Sequence, residues 1–235
     1  PDLSGIIGPD QVAKALRPDT LLVSLMHVNN ELGTINDIPE IAKLCHSSGA
    51  FFHTDAAQSF GKIPIEVKDS GVDLLSISAH KIYGPKGIGA LYVRRDPPIN
   101  LKPLIHGGGH ERQMRSGTLP THQIVGLGEA SRIMAADMKL EGERIRELRD
   151  RLLGSLYEIP GLVLHGDAER RIPGILNVGF PGLDGETLLV ALNDIAVSTG
   201  SACTSAAVEP SYVLRAMKVP VEIAHASIRF SIGRY

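Results

Sequence analysis

Apolar residues fall along this chain in two patterns, short continuous runs and stripes of helical period. Leu21 to His27, Ala50 to Thr54, Val72 to Ile77 and Ile88 to Val93 are short runs that end in polar or glycine-bearing turns. Such runs are typical of strands buried on both faces of a largely parallel sheet. Between them, Ile38 to His46 predicts a helix with Ile41, Leu44 and Cys45 on its apolar face, which makes Cys45 a core residue. Asp10 to Leu16 predicts a shorter helix with Asp10 as its cap. Strand, turn, helix, strand at this spacing is a βαβ rhythm. A long helical stretch follows from His122 to Tyr157. Ile145, Leu148, Leu152 and Leu156 form its core stripe, and the charges from Glu141 to Arg151 a solvated face. Beyond it, Leu162–His165 and Ile175–Gly179 predict strands, Gly185–Leu192 and Ser211–Met217 helices, and Ser227–Tyr235 a last strand. The pattern is that of an α/β protein, with a sheet-based domain over 1–137 and a smaller C-terminal α/β domain over 138–235.

Composition narrows the function classes. Apolar content of 43% and charged content of 21% over 235 residues suit a globular chain with a sizeable core. A net charge of −2 leaves no electrostatic footprint for nucleic acid, and no apolar run is long enough to predict a membrane span. Two cysteines, Cys45 and Cys203, are too few for a disulfide framework and point to a reducing compartment; neither stands in a metal-ligand spacing. The opening Pro1-Asp-Leu-Ser-Gly-Ile-Ile-Gly8 resembles mid-domain sequence, and the last strand simply stops, so the chain reads as an internal portion of a longer protein.

The polar residues that matter sit at strand ends. In open α/β sheets ligands gather beyond the carboxyl ends of the strands. Asn30, Asp55 and the cluster Ser78 to Lys81 all fall at such positions. Lys81 stands between Ser78, His80 and a Gly84-Pro85-Lys86-Gly87 turn, where desolvation and the second cation of Lys86 are expected to favour a free, nucleophilic amine. Such an amine suits Schiff-base chemistry, including that of pyridoxal phosphate. The glycine-rich stretch Gly107 to Thr118 carries Arg115, Ser116 and Thr118 as donors for an anion. Cys203 lies among small polar residues without apolar periodicity, as expected of a thiol in an exposed loop.

Four stretches taken together carry a resemblance. His53-Thr-Asp-Ala-Ala-Gln58, Ser78-Ala-His-Lys-Ile-Tyr-Gly-Pro-Lys-Gly87, Arg115-Ser-Gly-Thr118 and Ser198-Thr-Gly-Ser-Ala-Cys-Thr-Ser205 resemble, in order, the signatures of the cysteine desulfurases of iron–sulfur cluster assembly, within the class V aminotransferases. The resemblance covers nearly the whole chain. It implies the pyridoxal-phosphate-dependent transferase fold of type I, with a mixed, mostly parallel sheet in the large domain. The implied reaction turns L-cysteine into L-alanine and leaves a persulfide on Cys203, for delivery to an iron–sulfur scaffold protein or another sulfur acceptor.

The same resemblance implies roles for individual residues. Lys81 would hold pyridoxal 5'-phosphate as a Schiff base and move protons. Asp55 would face the pyridine nitrogen and keep it protonated. Asn30 and Gln58 would bond the ring-hydroxyl side, Asn30 also helping to hold the substrate. Ser78 and His80 would bind the phosphate, joined by Thr118 from the second subunit of a homodimer. Arg229 would fork onto the substrate carboxylate, a geometry lysine does not reproduce. Relative to the family, the chain starts inside the large domain, without the segments that carry a phosphate-binding threonine and a ring-stacking histidine, and without the C-terminal segment associated with scaffold binding. The alternatives are a selenocysteine lyase or transaminase of the same fold, or a portion that serves only as an interaction module. The wording around His106 and His110 implies a cytoplasmic protein, with the mitochondrial matrix as the alternative.

Overall fold

The computed structural model describes residues 1–199 and 210–235. Three of the apolar runs form parallel strands, β1 (Leu22–Met26), β2 (Phe51–Asp55) and β3 (Leu74–Ser78). A fourth, β4 (Gly89–Val93), lies antiparallel to β3, so the sheet has the order β1-β2-β3-β4. Two helices, α1 (Pro9–Ala15) and α2 (Ile38–Ser47), belong to this half of the chain. Asp37 caps α2 by accepting from the Glu40 N–H at 3.3 Å. Ile41, Ala42 and Cys45 of α2 pack on Phe52 and Leu75, and Val12 of α1 joins the same core. Cys45 is fully buried there, and that burial pushes its thiol pKa up, as befits an inert core cysteine. Asp73, fully buried, ties the sheet together: it pairs with Arg94 at 2.7 Å and His46 at 3.0 Å, and accepts from the Phe52 N–H at 2.7 Å.

The second sheet is antiparallel, β5 (Val163–Leu164), β6 (Ile175–Gly179) and β7 (Ser227–Ser231) in that order. Helix α3 (Thr121–Leu156) leads into it, and α4 (Gly185–Ala191), α5 (Tyr212–Ala216) and α6 (Val221–His225) surround it. Leu176, Val178, Ile228 and Phe230 form its core with Leu152 and Leu156 of α3. The two sheets meet through the turn after β1. Gly33 has φ +78°, and a side chain there would come within 2.9 Å of the Ile175 Cβ, so glycine serves both the backbone and the close approach.

Several expectations are corrected at the level of local structure. Gly8, not Asp10, caps α1, and Asp10 sits in its first turn, where a carboxylate favours the helix dipole. The charged face of α3 is not uniformly solvated: Arg149 is buried with its Nη1 donating to the Ile172 carbonyl at 3.4 Å, and Glu141 is largely covered because Arg234 after β7 packs back onto this helix. Leu148 is 39% exposed and lies at the edge of the stripe instead of in the core. The last strand ends at Ser231, and α6 had no clear apolar period to announce it.

A buried histidine in the second sheet gives a pH prediction. Ser227 Oγ donates to the Ile223 carbonyl at 2.6 Å, so at 2.9 Å it accepts from His165 Nε2–H. Burial, with Arg171 nearby, lowers the His165 pKa to about 4. The unfolded chain takes up this proton near pH 6.5 and the folded one does not, so stability is lost as pH falls from about 6.5 to about 4, by about 3 kcal/mol. Urea denaturation at pH 7 and pH 4.5 is expected to show this loss, and a His165→Asn variant to show less of it.

Candidate active site

The site grows out of the carboxyl end of β3. There the strand passes directly into a 3₁₀ turn, Ala79–Ile82, that carries His80 and Lys81. Ala79 is buried and its N–H donates to the Ile88 carbonyl at 3.1 Å, so the turn is fixed against the start of β4. Tyr83 closes it in the left-handed region with φ 64°, an uncommon place for a tyrosine. The conformation is held from outside: Tyr83 Oη accepts from the Arg234 N–H at 2.7 Å, and the Arg234 guanidinium stacks over its ring at 5.8 Å.

Lys81 opens onto a cavity of about 260 Å³ between the two sheets and α3. Its polar wall includes Asn30, Gln58, Lys62, His80, Lys81 and Arg229, with the carboxylate of Glu141 also on it, and its apolar wall residues such as Met134, Ile145 and Ile172. Asn30 comes from the turn after β1, Gln58 from the turn after β2, and Arg229 from the middle of β7. The cavity thus gathers five of the sequence-predicted residues from both halves of the chain. Asp55, Ser78 and Thr118 are not on its wall. Asp55 ends β2 and accepts from the Ala57 N–H at 2.8 Å. Ser78 Oγ bonds His80 Nδ1 at 2.9 Å, and Thr118 is exposed beyond the glycine-rich stretch. Cys203 lies outside the described residues. Its flank on one side is tied in, since Ser198 and Arg229 pair through their backbones.

Arg229 is set from both sheets. It pairs in register with Asn177 of β6, while its Nη1 donates to the Asn30 carbonyl at 3.0 Å. Its Nε is buried without a hydrogen-bond partner among the described residues. Burial lowers its pKa, and the charge of Glu31 opposes that shift. A guanidinium that has lost water and keeps an unmatched donor at a cavity wall is prepared for an anion such as a carboxylate.

The cation expected beside Lys81 was misassigned. Lys86 is exposed on the turn, where its carbonyl accepts from Gln123 Nε2 at 2.9 Å. The nearby cation is Lys62, whose pKa falls to about 8 through burial first and then through the charge of Lys81. In the sequence Lys62 follows a glycine in a turn without apolar period, which marks it as an ordinary surface lysine. Its only sequence signal is its spacing, four residues after Gln58.

The residues suit pyridoxal phosphate by the chemistry of their donors: an amine for the aldehyde, an amide and hydroxyl or imidazole donors for polar ring substituents and phosphate, and a guanidinium for a substrate carboxylate. A second tie holds this arrangement. Arg234, just after β7, pairs with Glu141 and, at 3.2 Å, with Asp137 of α3. Both Arg234 and Glu141 are mostly covered, so Arg234→Ala is expected to cost about 2 kcal/mol in urea denaturation, by stranding Glu141 and freeing Tyr83.

Comparison with known proteins bears on the family and the fold. The family model for aminotransferase class-V matches residues 1–235. The cysteine desulfurase IscS of Shewanella frigidimarina is 60% identical over all 235 residues, and the chain spans 58% of that relative's length. Among solved structures, a NifS-like protein from Rickettsia africae superposes with a TM-score of 0.88 at 32% identity, over 99% of this chain and 63% of that one. SspA in complex with cysteine superposes with a TM-score of 0.84 at 38% identity, over 100% of this chain and 65% of that one. In fold and across its whole length, the chain belongs to the class-V aminotransferase family.

Proposed function

We propose that this chain carries the catalytic centre of a pyridoxal-phosphate-dependent cysteine desulfurase that supplies sulfur for iron–sulfur cluster assembly. The observation that carries the reading is the meeting of Lys81, Gln58, Asn30 and Arg229 on one cavity wall, in a chain 60% identical to a cysteine desulfurase IscS. When bound, the cofactor supplies an electron sink for the substrate's carbon skeleton. Lys81 would anchor it and carry protons to and from the substrate carbons. Asp55 would hold a proton on the ring nitrogen, Asn30 and Gln58 the ring-hydroxyl side, and Ser78, His80 and a partner subunit's threonine equivalent to Thr118 the phosphate. Arg229, which lines the cavity, would take the carboxylate of L-cysteine.

In that scheme the Cys203 thiolate attacks the substrate sulfur. The substrate C–S bond breaks, the carbon side gains a proton and leaves as L-alanine, and the sulfur stays on Cys203 as a persulfide, later passed to an acceptor. The overall change, cysteine plus thiol to alanine plus persulfide, balances without an added oxidant or reductant. An absorption spectrum with pyridoxal phosphate, before and after L-cysteine, tests the reading. A near-visible band that shifts on adding cysteine is expected. A band indifferent to cysteine but responsive to other amino acids would overturn it in favour of a transaminase.

A further inference from the structure

Lys62 takes no part in the roles described above, yet it stands on the same wall as Lys81. It follows β2 by seven residues, at the close of a buried turn (Ser59 and Gln58 are both under a tenth exposed). Its Nζ donates to Gln58 Oε1 at 3.3 Å. An ammonium has donors only, so the oxygen of the Gln58 amide has to face it, and the amide nitrogen with its two N–H groups is left for the opposite side.

We propose that Lys62 is a positioning residue of this site, which holds the carbonyl of Gln58 and thereby leaves the Gln58 N–H donors to meet an electron-rich ring oxygen of the bound cofactor. The inference rests on the functional reading given above and adds to it a residue that acts through another. Its electrostatic setting supports it. Lys81 of the 3₁₀ turn and Glu141 of α3 both act on Lys62, the first lowering and the second raising its proton affinity, and His80 and Arg229 share the cavity wall. With a pKa of about 8, Lys62 is protonated roughly ten to one at pH 7. As pH rises through 8 the amine becomes able to accept, and the Gln58 amide loses the constraint on which way it faces.

Two measurements test this. The first is the affinity for pyridoxal phosphate at pH 7 of the wild type, Lys62→Met and Lys62→Arg, alongside the melting temperature of each without cofactor. Roughly tenfold weaker binding is expected for Lys62→Met, the equivalent of one charged hydrogen bond, with near wild-type binding for Lys62→Arg and little change in melting. Equal affinity of Lys62→Met and wild type overturns the proposal, as does a loss of binding that only tracks a loss of cofactor-free stability. The second needs no cofactor: the pH midpoint of amine labelling at Lys62, in the wild type and in Lys81→Ala. A midpoint near 8 that moves upward in Lys81→Ala is expected. A wild-type midpoint below 7, which would leave no ammonium to hold the Gln58 oxygen at neutral pH, overturns the proposal. A wild type that takes up no pyridoxal phosphate would sink the functional reading, while the labelling result would still decide whether Lys62 and Lys81 share one site.

Discussion

Lys81→Ala is expected to abolish covalent attachment of pyridoxal phosphate and to lower alanine production by at least about 10³-fold. The expectation follows from where the amine is held. The strand, the 3₁₀ turn and the left-handed Tyr83 leave Lys81 at the cavity with its backbone pinned on both sides. Lys62 shares the cavity, but removing Lys81 also removes one of the charges that keep Lys62 near pKa 8, so the remaining amine becomes more protonated and a poorer nucleophile. Borohydride reduction followed by peptide mass mapping reads this directly. The cofactor adduct should sit on the peptide containing Lys81 in the wild type and be missing in the variant. An adduct of equal yield in Lys81→Ala would remove Lys81 from its role.

The second large effect concerns the residue proposed to take up the substrate sulfur. Cys203→Ser is expected to eliminate enzyme-bound persulfide and to cut alanine release by about 10³-fold or more, while cofactor binding stays intact. A serine hydroxyl is not ionised near neutral pH and its oxygen does not accept a sulfur atom reversibly, whereas a thiolate does both. Among the described residues, Ser198 pairs through its backbone with Arg229, and Ser211 Oγ donates to buried Glu31. Persulfide can be followed by alkylation and mass spectrometry. Undiminished persulfide in the variant would exclude Cys203 as the acceptor.

How much of this was readable from residues alone can be seen at particular positions. The apolar runs placed β1 to β4 within a residue or two, because each run is stopped by the turn residues that follow, but burial on both faces did not hold: Leu22 of β1, Phe51 of β2 and Leu91 of β4 are exposed. Cys45 read as core and is core, since its period matched that of Ile41. Asn30, His80 and Lys81 were legible as strand-end chemistry and reach the cavity, whereas Asp55 and Ser78, read the same way, do not line it; Gln58, also on its wall, was legible by resemblance. Arg229 was legible only by resemblance, because an arginine inside an apolar strand says nothing of what it faces.

What only the tertiary structure decided are the pairings made at long sequence separation. The sequence by itself determined the α/β class and the order of most elements, because propensity, turn chemistry and short motifs are local. It did not reveal that Arg234 returns to Glu141 across 93 residues, that Arg229 bonds the Asn30 carbonyl across 199, or that Arg149 is buried on a face that reads as solvated. Nor did it reveal that Lys62, and not Lys86, is the cation beside Lys81. Burial and charge coupling depend on which segments pack together. A lysine in a turn is an ordinary surface residue until a helix and a second sheet close over it and take away its water.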